Sequence, residues 1–125
     1  MAAILVVDDD RDICSLLTYK LSSCGHSVLV EHDGRAGLAT ISNEEIDLVL
    51  LDWMMPLMGG LEVCRTLRAN PRHARLPVLM LTAKAQAADI QSALAAGADA
   101  YILKPFSPRD VAELVAATLA RAAGS

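Results

Sequence analysis

The chain has 125 residues, the size of one ordinary domain, and reads as a single domain over 1–125. A formal net charge of -4 without a basic tract argues against direct nucleic-acid binding, and no apolar run approaches the ~20 residues of a membrane span. Cys14, Cys24 and Cys64 are odd in number and lack a C-x-x-C spacing, so they read as reduced, semi-buried thiols; with no signal-peptide pattern, the expectation is a cytoplasmic protein.

With hydrophobic residues at 54% and aromatics at only 3%, the core must be aliphatic and alanine-rich. Ala3–Val7 is a short β-rich run followed by Asp8-Asp9-Asp10. Arg11–Ser23 has helical spacing, with Ile13, Leu16, Leu17 and Leu21 on one face, and Gly25 is a plausible stop. Ser27–Glu31 reads as a second strand, His32-Asp33-Gly34 as a turn, and 35–41 as a short helix weakened by Gly37. Residues 47–52 form a third strand that is apolar until it ends in Asp52. Pro56 cannot continue a central strand, because it has no N–H to donate.

Residues 61–69 form a helix with Leu61, Cys64 and Leu67 inward and Arg65 and Arg68 toward water. A strand over 77–82 and an alanine-rich helix over 86–96, stopped by Gly97, come next. Ala100–Leu103 is the fifth strand, ended by Lys104-Pro105. The last helix covers 107–122, with Ser107 as N-cap, Pro108 at N1 and Asp110 at N3; 122–125 reads as a flexible end or the start of a linker. Near-continuous apolar strands alternating with amphipathic helices predict a parallel sheet covered on both faces. Right-handed crossovers make it an α/β, doubly wound, flavodoxin-like fold of strand order 2-1-3-4-5.

In such a fold the residues just past the strands gather at one rim. They are Asp8 and Asp9, Asp52, Thr82 and Lys104. Two carboxylates ~5 Å apart repel by about 3 kcal/mol at an effective dielectric near 20, so three acids against one lysine call for a cation. Mg²⁺, with Mn²⁺ as a substitute, suits oxygen ligands. Cation, lysine and hydroxyl together suit a phosphoryl group, with Asp52 as a carboxylate nucleophile.

The chain resembles the receiver domain of two-component response regulators over essentially its whole length. The matching motifs are Ile4-Leu5-Val6-Val7-Asp8-Asp9, Leu50-Leu51-Asp52 with Met55-Pro56, Leu81-Thr82-Ala83, Gly97-Ala98-Asp99 and Lys104-Pro105-Phe106. The resemblance implies a phosphoprotein in a phosphorelay. Asp52 would accept a phosphoryl group from a phosphohistidine on a sensor histidine kinase or a histidine phosphotransfer protein. Asp9, Asp52 and the Met54 carbonyl would ligate Mg²⁺ directly, and Asp8 through a water. Lys104, Thr82 and the backbone of Trp53 and Ala83 would hold phosphoryl oxygens. Thr82 and Tyr101 would form the switch, and the bond before Pro105 would be cis. The last two helices and the fifth strand would be read by an effector protein or a C-terminal output domain, in a stand-alone regulator or in a longer chain. The domain would not be a turnover enzyme, catalysing only its own phosphorylation and autodephosphorylation.

Several residues depart from that pattern. Gly59 removes a side-chain cap before the third helix. Met54 and Lys84 stand at positions that the resemblance assigns to tuning phosphoryl lifetime; Met54 cannot orient a water, which predicts slow decay. Ala100 in Asp99-Ala100-Tyr101 replaces an acid that dimerising receivers use, so that dimer is not expected. Trp53 reads as a half-exposed neighbour of the site, and Asp10 as a first-turn acid. His26, His32 and His73 lack metal-ligand spacing and read as loop residues. Arg65, Arg68, Arg72 and Arg75 read as a solvated face, with a docking patch for an acidic partner as the alternative. The competing classes fit less well. A nucleotide-binding domain wants glycines after the first strand, not three acids. A Mg²⁺-dependent phosphatase wants a second acid where Met54 stands. An unphosphorylated receiver-like interaction module would not need the full set of acids, Thr82 and Lys104.

Overall fold

Five strands and five helices alternate among residues 1–124, the residues that the computed structural model of the protein describes. They are β1 (Ala3–Val7), α1 (Arg11–Ser23), β2 (Ser27–Glu31), α2 (Gly34–Asn43), β3 (Leu48–Asp52), α3 (Gly60–Ala69), β4 (Val78–Thr82), α4 (Ala87–Ala95), β5 (Ala100–Leu103) and α5 (Pro108–Ala123). All neighbouring strands are parallel, in the order β2-β1-β3-β4-β5, as expected. Among the described residues no helix is long and apolar enough to cross a membrane.

Alternating residues of each strand divide the core into two layers. Leu5, Val7, Val49, Leu51 and Met80 pack toward α2, α3 and α4, where they meet Ile41, Val63, Cys64, Leu67 and Ala93. Ile4, Val6, Leu48, Leu50, Leu79 and Leu81 pack toward α1 and α5, meeting Cys14, Leu17, Leu21, Val111 and Val115. The apolar runs in the sequence lack polar alternation because β3 and β4 are buried from end to end. The edge strands β2 and β5 are only partly buried, and β2 carries Ser27 and Glu31 at its ends.

Two glycines let helices approach the sheet. A Cβ on Gly37 would meet Val7 Cγ2 at 2.9 Å, so the residue that costs α2 helix propensity is the one that seats it on β1. A Cβ on Gly60 would lie 2.5 Å from the Asp52 carbonyl oxygen, so α3 starts directly against the end of β3.

The structure corrects several local expectations. Leu16 is 46% exposed; Cys14, not Leu16, joins Leu17 and Leu21 in the buried stripe of α1. Cys14 and Cys64 are fully buried rather than semi-buried, Cys24 is exposed, and all three thiols are free. Asp47 lies outside β3, where its Oδ2 accepts from Ala3 N–H at 2.7 Å. Pro77 precedes β4 and contributes only its carbonyl, which accepts from Val49 N–H at 2.9 Å. α2 starts one residue early because the Asp33 side chain caps it, accepting from Ala36 N–H. Ser107 occupies the N-cap of α5 without a side-chain capping bond, while Asp10 caps α1 through Asp12 N–H and Ile13 N–H. Residues 122 and 123 continue α5, with Gly124 as its cap; Ser125 lies outside the described residues. Arg68 is not turned to water: its guanidinium donates to the carbonyls of Gly97, His73 and Leu76.

Candidate functional site

The site lies where β1, β3, β4 and β5 end. Register brings its parts together: Val7 pairs with Leu51, Asp52 with Leu81, and Thr82 with Leu103. The next residues, Asp8 and Lys104, therefore flank Asp52 and Thr82. Asp8 is fully buried and Asp52 is 3% exposed, so neither carboxylate is solvated in the ordinary way. Lys104 Nζ bridges them, 3.1 Å from Asp8 Oδ2 and 3.1 Å from Asp52 Oδ1. The free oxygen of Asp8 accepts from Asp10 N–H at 2.9 Å, which turns the chain into α1. Asp52 Oδ1 also lies 3.4 Å from Met54 N–H.

Asp8, Asp9 and Asp52 each offer a carboxylate oxygen, all within 4.8 Å of one another. Asp9 is exposed and has no ion-pair partner among the described residues. Three carboxylates facing one ammonium leave surplus negative charge, and the all-oxygen donor set fits a hard divalent cation. The imbalance is visible in Asp52: burial, then the charge of Asp8, push its carboxyl up to about 6, against the pull of Lys104. Burial alone would push Lys104 down, but its bonds to Asp8 and Asp52 outweigh this and raise it, so the ammonium stays charged.

Thr82 is buried, and its Oγ1 accepts from Lys84 N–H at 2.9 Å. Tyr101 is partly buried against the α2–α4 layer of the core. The Lys104–Pro105 peptide bond is cis, and Lys104 N–H donates to the Thr82 carbonyl at 2.8 Å. Trp53 N–H is committed to the Leu81 carbonyl, whereas Ala83 and the Met54 side chain are exposed at the rim, Met54 by 60%.

Two contacts at the rim were not legible in the sequence. His32, read as a plain loop residue, puts Nδ1 3.0 Å from the Asp8 carbonyl oxygen and 3.9 Å from Cys14 Sγ. Only the pairing of Val7 with Glu31 could have signalled it, because it sets His32 beside Asp8. Cys14 also donates to that carbonyl; burial, then Asp8 and Asp10, push its thiol up to about 11, so it is a poor nucleophile. Lys84 Nζ stands 5.8 Å from the centroid of the Trp53 ring, a cation–π contact that spacing along the chain does not announce.

An open parallel sheet whose strand ends gather carboxylates, a lysine and a threonine defines the receiver class of signalling domains. The chain belongs to the response regulator receiver domain family, whose model matches residues 4–116. It is 45% identical over 118 residues to the alkaline phosphatase synthesis transcriptional regulatory protein PhoP of Bacillus subtilis, covering 94% of this chain and 48% of that protein. It is 44% identical over 118 residues to the DNA-binding response regulator MtrA of Mycobacterium tuberculosis, covering 94% and 50%. The chain thus spans about half the length of the curated relatives it matches. A CheY-like receiver domain protein from Methanospirillum hungatei superposes with a TM-score of 0.92 at 33% identity, over 99% of this chain and 98% of that one. Chemotaxis protein CheY4 of Vibrio cholerae superposes with a TM-score of 0.90 at 30% identity, over 94% and 98%. The protein is therefore a response-regulator receiver domain of a two-component system.

Proposed function

We propose that Asp52 accepts a phosphoryl group from a phosphohistidine on a sensor histidine kinase or a histidine phosphotransfer protein. The observation that carries this reading is the Lys104 bridge at 3.1 Å to both Asp8 and Asp52, with Asp9 close enough to complete an anionic trio. Asp9, Asp52 and the Met54 carbonyl would hold Mg²⁺ directly and Asp8 through a water. When bound, the ion neutralises phosphoryl oxygens.

The remaining work falls to the side chains. An Asp52 carboxyl titrating at about 6 is still mostly ionised at neutral pH, and it is already oriented by Lys104 and Met54 N–H. Its oxygen forms the new bond to phosphorus as the bond to the histidine nitrogen breaks. Lys104 then shifts part of its hydrogen bonding to the transferred group, whose charge is spread over three oxygens. The backbone N–H of Ala83 is assigned to the same oxygens; the Trp53 N–H, which the resemblance also places there, is held by the Leu81 carbonyl and would have to leave it to take part. Thr82 Oγ1 leaves Lys84 N–H and donates to the phosphoryl group, and Tyr101 moves inward behind it. The changed α4–β5–α5 face is what an effector protein or an attached output domain reads. The domain's own catalysis is limited to gaining and losing this group.

The test is an intact mass after treatment with acetyl phosphate and Mg²⁺. The expected result is a gain of one phosphoryl group, absent without Mg²⁺ and absent in Asp52→Asn. No gain with Mg²⁺ present would favour a binding-only module. The Met54 side chain brings no group that can orient a water at the mouth of the site, and Lys84 is held over Trp53, so decay of the phosphoprotein is expected to be slow. Met54→Asn should speed it, measured by following the phosphorylated mass over time; a wild-type half-life of seconds would contradict the assignment.

A further inference from the structure

The arginines near the end of α3 divide into two kinds. Arg68 is a brace: Nε donates to the Gly97 carbonyl at 2.9 Å, Nη1 to the carbonyls of Leu76 and His73, and Nη2 to Asp99 at 3.1 Å. Arg72 and Arg75, on the segment between α3 and β4, are exposed and have no ion-pair partner among the described residues. Two hollows flank this segment, of about 760 Å³ and about 450 Å³. They share Ala74, Arg75 and Pro77, so they meet at this segment, and the two together are called the trough below. Arg68 and Arg121 line the first part, Arg72 and His73 the second.

Of the acids in the trough walls, Asp99 is paired with Arg68, whereas Asp47 holds a backbone N–H and keeps its charge beside the Arg72 end. Asp47 Oδ2 accepts from Ala3 N–H at 2.7 Å, and Asp99 Oδ2 accepts from Val78 N–H at 2.8 Å as well as from Arg68. His73 Nε2 is shut off from solvent without a hydrogen-bond partner. The trough lies at the N-terminal ends of β4 and β5, the opposite end of the sheet from Asp52.

We propose that this trough docks an extended acidic polypeptide segment of a partner protein. Its cations are strung along a groove rather than gathered at one point, as a compact phosphate would require. A long polyanion would also meet the repulsion of a chain whose net charge is -4, whereas a short acidic segment engages the trough alone. The proposal does not depend on phosphorylation of Asp52.

The experiment measures fluorescence anisotropy of a short fluorescein-labelled Glu-rich peptide with the full chain. It is run at about 20 mM and about 300 mM salt, between which the Debye length falls from roughly 20 Å to roughly 6 Å. Binding is expected at low salt and weaker at high salt. Arg72→Glu and Arg75→Glu should each weaken it about fivefold. Arg109→Glu alters the net charge equally at a remote, exposed position and should leave it unchanged. The phosphoryl gain from acetyl phosphate should persist in Arg72→Glu and Arg75→Glu, showing that the other end of the sheet is intact. Equal weakening by Arg109→Glu, no binding at low salt, or tighter binding of a labelled single-stranded DNA at the same residues would overturn the proposal.

Discussion

The two sides of the strand-end rim are built differently. On the β1–β3 side, Asp8 and Asp52 are buried, tied to one lysine, and backed by α1. α1 has thirteen residues, three of them fully buried, and an Asp10 cap that satisfies two backbone N–H groups. On the β4–β5 side, Thr82 is held by one bond to Lys84 N–H, and the helix above it is α4. α4 has nine residues, a single fully buried one, Ala93, and no side-chain cap. Few buried apolar contacts mark the segments that open at low free energy. On the proposed function, the acceptor carboxylate would stand on the more tightly held side, with Thr82 and Lys104 reaching it from the side that opens at lower cost and would carry the readout.

The largest expected effect separates the two helices. Leu17→Ala, at a fully buried position of α1, should cost about 3 kcal/mol of unfolding free energy, whereas Leu94→Ala in α4, where the side chain is 46% exposed, should cost under about 0.5 kcal/mol. Urea unfolding of both variants checks this, and equal losses would erase the distinction.

A smaller effect tests the strain stored on the rigid side. The Asp52 carboxyl is raised from 3.8 to about 6 in the folded protein, so between those values the native state binds the extra proton. Stability therefore falls as pH rises through that window, and the full cost is present above it. Asp52→Asn should raise stability by about 1–3 kcal/mol at pH 7, a gain that disappears below about pH 4. Mg²⁺ should stabilise the wild type more than the variant, by about 1.4 kcal/mol at ten times its Kd. A variant less stable than wild type at pH 7 would contradict the account.

The smallest effect compares caps. Asp10→Ala should cost about 1 kcal/mol, because two N–H donors at the start of α1 lose their acceptor. Ser107→Ala should cost less than about 0.5 kcal/mol, since its hydroxyl makes no capping bond. Thermal melts of the pair decide it.

Much of this was legible in the sequence, for physical reasons. β3 and β4 show themselves as unbroken apolar runs because both faces of a central parallel strand are covered. Asp52 shows itself because a charge that ends such a run needs a partner. Whether a residue faces core or water was harder to read wherever two neighbouring positions could fill one stripe. Helical spacing alone lets Leu16 share the stripe of Leu17 and Leu21, but the phase of α1 turns positions 14, 17 and 21 to the sheet, where Cys14 Sγ donates to the Asp8 carbonyl. Arg68 was assigned to solvent because its three carbonyl acceptors come from residues 73, 76 and 97, which only the folded chain gathers. The Trp53–Lys84 contact was hidden for the same reason: the partners lie on different strand ends.

Hydrogen exchange on the protein in Mg²⁺, before and after addition of acetyl phosphate, tests the division of labour most directly. The account predicts altered protection in α4 and β5, with α1, β1 and β3 unchanged, and no change anywhere in Asp52→Asn. Changes confined to α1, or equal changes on both sides of the rim, would contradict it.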